Sequence, residues 1–202
     1  MAASHLLDAG CDLSCLRPSA SPEGLRTVAT MIERKLNAPL TSSMGRLFDA
    51  VAAIAGLRAK SSYEGQAAIE LEWQAMRATD AGVYSCDFSK SATAGWVIDT
   101  RPMIREVAND VAAGVAPTVI ARRFQSTVVE WMTGICGLIR KATGLAEVVL
   151  SGGVFMNALL TSESVVRLTE QGFTVYTHRT VPANDGGLSL GQLMIAAQSQ
   201  CK

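Results

Sequence analysis

The chain has 202 residues, its 18 Lys and Arg are balanced by 18 Asp and Glu, and 49% of it is hydrophobic. A chain this apolar and this weakly charged can bury enough surface to offset its ordering entropy, which argues against disorder. Zero net charge argues against a basic nucleic-acid footprint, and no run approaches the 18 apolar residues of a membrane span.

Residues 1–40 read as helical and then loop-like. Leu6-Leu7 open an apolar stretch, Ser21-Pro22-Glu23 is a helix start with proline in the first turn, and Pro39 closes the segment. Met44, Leu47, Phe48, Val51, Ile54 and Ala55 then form a helical stripe that ends at Gly56. A further helix is predicted over 65–78, with Ile69, Leu71, Trp73 and Met76 as its apolar members. Between Gly82 and Thr100, Tyr84, Cys86 and Phe88 alternate with small or polar neighbours, and Trp96-Val97-Ile98 follows Gly95; this predicts a short β-hairpin or an edge pair of strands.

Helical character resumes at Met103 and stops near Gly114. Pro117 opens the clearest helix. Ile120, Phe124, Val128, Trp131, Ile135 and Leu138 share one face, expected to pack on a sheet, while Arg122, Arg123, Gln125, Glu130 and Arg140 lie off it. Gly144 is its stop. The last sixty residues alternate: strand 148–150, a Gly152-Gly153 turn, helix 158–170, strand 174–177, loop 181–187 and helix 188–197. Strand–helix–strand at this spacing predicts a parallel pair with a crossover helix.

The five cysteines (Cys11, Cys15, Cys86, Cys136, Cys201) include no Cys-x-x-Cys pair and read as reduced thiols. The start of the sequence has no basic segment followed by an apolar core, so a cytoplasmic location is expected. The two histidines, His5 and His178, lie near opposite ends of the chain.

Three groups of residues could carry chemistry. Ser151-Gly152-Gly153-Val154-Phe155-Met156-Asn157 joins a strand to a helix: two glycines allow close approach of backbone to a ligand, the helix N-terminus favours an anion, and Asn157 offers donor and acceptor. The same residues also suit a plain tight turn. Pro182-Ala183-Asn184-Asp185-Gly186-Gly187 lies at the corresponding end of the next strand, where ligands of parallel sheets collect. Asp185 could meet a cation there, or Asn184 or Asp185 could simply cap the next helix. Asp49, beside Phe48 and one position off the apolar stripe, could accept hydrogen bonds from a ribose diol or could be a solvated surface carboxylate.

Residues 42–53, Tyr63-Glu64-Gly65-Gln66-Ala67-Ala68, Leu150-Ser151-Gly152-Gly153-Val154-Phe155-Met156-Asn157 and residues 181–192 together resemble, in order, the C-terminal part of the HypF family. That family comprises carbamoyltransferases of NiFe-hydrogenase maturation. The blocks are similar, more distantly, to TsaD-type threonylcarbamoyl transferases. The resemblance implies an α/β fold of the actin-like ATPase (ASKHA) type, of which this chain is the C-terminal portion, with parallel strands and flanking helices. It implies a helical segment 1–40 that continues an upstream half, followed by a nucleotide-binding carbamoyltransferase portion, 41–202.

The resemblance also implies roles. Asp49 corresponds to a ribose-binding aspartate, Gly65 and Gln66 belong to a turn lining the nucleotide, and Gly152, Gly153 and Asn157 contact it from the opposite wall. Asp185 corresponds to a metal ligand, and no catalytic residue is assigned. The ligand would be ATP or carbamoyl-adenylate, and the carbamoyl group would pass to the C-terminal cysteine of a HypE-like partner. An iron or zinc ion belongs to the complete family proteins through an upstream His-x-x-x-His pair that this chain lacks, so metal binding here is expected to be weak or absent. The chain is expected to be a truncated, split or partial form that lacks the upstream HypF domains and exposes apolar surface where they would dock. The rival readings are a non-catalytic remnant serving as an interaction module, and a related tRNA or small-molecule carbamoyltransferase.

Overall fold

Ser21 has an extended backbone and its hydroxyl accepts from the Gly24 N–H at 3.1 Å, so α2 (Pro22–Glu33) begins where Ser-Pro-Glu predicts. The computed structural model describes residues 1–16, 20–79, 82–91 and 95–200. Before α2 come α1 (Ala2–Asp8) and a 3-10 turn, Ser14–Leu16; after it come α3 (Met44–Ile54) and α4 (Gln66–Ala75). An antiparallel hairpin follows, β1 (Asp87–Ser91) with β2 (Gly95–Asp99), in which Phe88 pairs with Ile98. Tyr84 and Cys86 precede β1 rather than forming part of it, and residues 92–94 of the expected hairpin lie outside the described residues. Then come α5 (Arg101–Ala112) and α6 (Pro117–Thr143).

The chain forms two compact units, 1–131 and 132–202, and the division falls inside α6. In the first unit the apolar stripe of α3 is buried as its spacing requires: Leu47, Phe48, Val51 and Ile54 are all inside. The Phe48 ring meets Phe124 of α6 edge-on, with centroids 4.7 Å apart. Leu6 of α1, Leu71 of α4 and Met103, Ile104 and Val107 of α5 complete this core, and α1 packs against α2, α3 and α5.

Three expectations change here. Trp73 and Met76 of the helix predicted over 65–78 are exposed, because the buried line of α4 runs through Ala67, Leu71 and Ala75. Gln125 is fully buried rather than off the apolar face. Around it Ile120, Ala121, Phe124, Thr127, Val128, Val129 and Trp131 are buried too, so α6 is enclosed on more than one side at this level. The residues of α6 also do more than face a sheet. Phe124 meets a helix, whereas Met132 and Cys136 pack on the core of the second unit.

In the second unit β3 (Glu147–Leu150) and β4 (Thr174–Thr177) pair in parallel, with Leu150 opposite Thr177. The helix between them is α7 (Ala158–Glu170), and α8 (Leu188–Gln200) follows β4. Leu150, Leu168 and Phe173 form the core, joined by Val148, Val175, Phe155 and Val165. Arg140 lies over the Phe173 ring at 4.0 Å and donates to the Gln171 carbonyl. Val149 and Tyr176, on the opposite face of the strands, are exposed. Among the described residues no helix is long and apolar enough to cross a membrane, and Cys11, Cys15, Cys86 and Cys136 are free thiols. Cys201 lies outside the described residues.

Candidate functional site

The candidate residues fall into one group in each unit. In the first unit Asp49 lies in α3 with its side chain about one-quarter exposed, and it accepts from Arg46 Nη1 at 3.1 Å one helical turn before it. Gly65 has a left-handed backbone and is the N-cap of α4. Gln66 is buried and engaged at both ends of its amide. Its Oε1 accepts from the Ser62 N–H at 2.7 Å, and its Nε2 donates to Glu70 at 3.0 Å. Glu70 in turn takes both nitrogens of the Arg58 fork, which holds its carboxyl below the usual range. The turn before α4 is therefore shaped by a network in which Gln66 is a member.

In the second unit the parallel register does the positioning. Because Leu150 pairs with Thr177, the next residues, Ser151 and His178, leave the two strands side by side, and Ser151 Oγ lies 2.9 Å from His178 Nε2. The chain then turns at Gly152, whose φ of +103° is open to glycine and strained for other residues. The Gly152 N–H donates to the Ala183 carbonyl at 2.8 Å. Two loops that are about thirty residues apart in sequence are thus joined at the carboxyl ends of β3 and β4.

After Gly152 a 3-10 turn, Gly153–Met156, leads into α7. Its opening N–H groups, Gly153 and Val154, have no acceptor within the turn. Asn157 is the N-cap of α7, its Oδ1 accepting from the Leu160 N–H at 2.8 Å. Only 9% of Asn157 is exposed, and its Nδ2 has no partner. A buried amide donor left unmatched is costly unless something polar meets it.

Asn184 caps the second turn, Asp185–Gly187, by accepting from the Gly186 N–H at 3.0 Å. A Cβ on Gly187 would come within 2.7 Å of the Pro182 carbonyl oxygen, so this glycine is required by the loop's own fold. Asp185 is exposed. Among the described residues no three His, Cys, Asp or Glu side chains gather as a metal set would, so these residues do not fit a protein-held metal centre.

The sequence reading placed both loops together but missed the Ser151–His178 pair. Its signal was available: the predicted strands end at residues 150 and 177, and a parallel register makes 151 and 178 neighbours. It also missed a cluster in the first unit, where Asp110 accepts from the Tyr84 hydroxyl at 2.8 Å and from Arg123 Nη1 at 2.7 Å. Burial, and then the Asp110 carboxylate, push the Tyr84 hydroxyl well above the ordinary tyrosine range.

Residues 1–192 match the family described as the second subdomain of the Kae1-like domain of carbamoyltransferases. The chain is similar to carbamoyltransferase HypF2 of Cupriavidus necator, 33% identical over 199 residues, covering 87% of this chain and 24% of that protein. It is similar also to carbamoyltransferase HypF of Rhodobacter capsulatus, 36% identical over 187 residues, covering 92% of this chain and 24% of that protein. Among solved structures, full-length HypF in a phosphate- and nucleotide-bound form matches with a TM-score of 0.87 at 37% identity, over 96% of this chain and 31% of that one. The chain thus spans about a quarter of the length of the curated relatives named here. With the α/β arrangement and parallel strand pair expected of that fold in place, the chain belongs to the HypF carbamoyltransferase family, as part of its C-terminal, Kae1-like region.

Proposed function

We propose that the chain is the nucleotide-binding C-terminal portion of an enzyme that passes a carbamoyl group from carbamoyl-adenylate to the C-terminal cysteine of a HypE-like acceptor in NiFe-hydrogenase maturation. The observation that carries this reading is the Gly152–Ala183 hydrogen bond, which joins both glycine-bearing loops at the carboxyl ends of parallel strands, where nucleotides bind in such sheets. The unmatched Asn157 Nδ2 and the opening amides of the turn at Gly153 suit an anionic oxygen. That the similar solved HypF was obtained with phosphate and nucleotide supports the same ligand class here.

In this reaction a sulfur–carbon bond forms as the carbon–oxygen bond to the adenylate phosphate breaks. AMP leaves, and the thiol gives up its proton. This chain's residues contribute binding and orientation. Asp49 accepts from the ribose hydroxyls, the turn at Gly65 and Gln66 lines the nucleotide, and N–H donors at Gly153 and Val154 receive phosphate charge. Among the described residues no set of side chains fits a metal centre, so the contribution of this chain is binding and orientation alone. The acceptor is a separate polypeptide, and the remaining parts of the enzyme correspond to the stretches of its relatives that this chain does not span. The apolar surface of α8 supports such a neighbour.

A second reading, a non-catalytic interaction module, is favoured by the isolation of Asp185. Calorimetric titration of the chain with ATP separates the two. Weak binding is expected, unchanged by divalent metal. Asp49→Ala should weaken it about tenfold or more. The unfolding midpoint should barely move, since an exposed ion pair such as Arg46–Asp49 contributes at most about 1 kcal/mol. If no nucleotide binds the unaltered chain, the interaction-module reading stands.

A further inference from the structure

We propose that Ser151 and His178 form a side-chain wall of the phosphate cradle, so that the nucleotide's phosphate is held by a hydroxyl and an imidazole as well as by backbone. This rests on the nucleotide-binding reading above and adds two residues that it does not use. The Gly152 N–H is already bonded to the Ala183 carbonyl at 2.8 Å. That amide is therefore unavailable to a ligand. Donors must come from Gly153, Val154, the unmatched Asn157 Nδ2, and the side chains that leave the strand ends.

Two such side chains stand together there. Ser151 and His178 continue the register of the Leu150–Thr177 pair, their polar atoms are 2.9 Å apart, and both residues are exposed. The contact uses only one ring nitrogen, Nε2. A hydroxyl is both donor and acceptor. When His178 Nε2–H donates to Ser151 Oγ, the hydroxyl proton is left for an outside acceptor. A phosphoryl oxygen is the acceptor whose charge this arrangement suits, because hydrogen bonds to ionised groups are shorter and stronger than neutral ones. In the other tautomer Ser151 donates to Nε2, and Nδ1–H of the ring is then the donor left for a phosphoryl oxygen. The ligand class is a phosphate ester, and the wall lies beside the turn that opens α7.

The chain's two histidines make the test internal, since His5 in α1 serves as the control. Nitrogen-15 spectra of the imidazole rings of the full chain are followed during titration with AMP, with inorganic phosphate and with adenosine. The expected result is that His178 shifts with AMP and with phosphate, stays unmoved with adenosine, and that His5 stays unmoved throughout. Ser151→Ala and His178→Gln should each weaken AMP binding about ten- to a hundredfold by calorimetry while leaving adenosine binding and the unfolding midpoint unchanged. If AMP binds but His178 does not shift and both variants bind normally, the proposal is overturned and the nucleotide reading survives. If phosphate moves both histidines alike, the ion is adventitious and the proposal fails. If neither AMP nor ATP binds, both fail together.

Discussion

α6 and α8 are both rich in apolar side chains, yet they end in opposite surroundings. Along α6, Ile120, Phe124, Val128 and Trp131 recur at helical spacing and are all buried. Along α8, Leu188, Leu190, Leu193, Met194 and Ile195 lie on several sides of the helix, and every residue from 188 to 199 is exposed, Ile195 by 69%. A stripe has a direction and can be satisfied by one neighbour. Apolar residues all round a helix call for enclosure, and an uncharged helix such as α8 is the kind normally found inside a larger body. The chain spans about a quarter of the length of the relatives named above. Apolar content alone therefore says little about burial within one chain; its angular distribution says more.

The largest expected effect breaks the α6 side of this contrast. Phe124→Ala removes a fully buried ring packed against Phe48 and should cost about 3–5 kcal/mol in equilibrium unfolding. A shift near zero would show that the first unit does not depend on this stripe.

The next effect sits on the flank of α6, where Arg123 meets Asp110 and the Tyr84 N–H donates to Thr127 Oγ1 at 2.8 Å. Folding raises the Tyr84 pKa, through burial first and Asp110 second. Below about pH 10, the ordinary tyrosine value, folded and unfolded chains both keep the proton and the contribution is complete. Above it the unfolded chain loses its proton first, so stability should fall as pH rises. In Tyr84→Phe that alkaline fall should be shallower than in the unaltered chain, and at neutral pH the variant should be less stable by about 0.5–1.5 kcal/mol. Equal alkaline slopes in the two proteins would contradict the burial of this hydroxyl.

The smallest expected effect sharpens the α8 side. Leu193→Ser should change unfolding stability by less than about 0.5 kcal/mol, as for an exposed position without partners. It should also reduce self-association seen by light scattering, because it interrupts an exposed apolar patch. A loss of several kcal/mol would mean that α8 is packed within the chain.

Much of the fold was legible because it is local. The cap at Ser21, the stripes of α3 and α6, and the two short strands all follow from spacing and chain punctuation. What was not legible depends on distance or angle. Trp73 belongs to an apolar helix but lies about 200° around it from Leu71, at 3.6 residues per turn, and so faces outward. Gln125 is buried because α6 has neighbours on more than one side, which no window of sequence reveals. The Tyr84–Asp110 contact joins residues 26 positions apart. At the candidate site the glycine loops stood out from composition, whereas the engagement of Gln66 with Ser62 and Glu70 depends on how the preceding turn closes.

The Gly152–Ala183 bond has one more consequence. Its proton belongs to one loop and its acceptor to the other, so exchange with solvent deuterium at that single amide requires the pair to separate. The exchange rate of Gly152 is thus a clock for how often the loops part, readable without any ligand. Slowing of that clock on addition of nucleotide would measure, in units of time, how firmly an occupant holds both sides of the turn together.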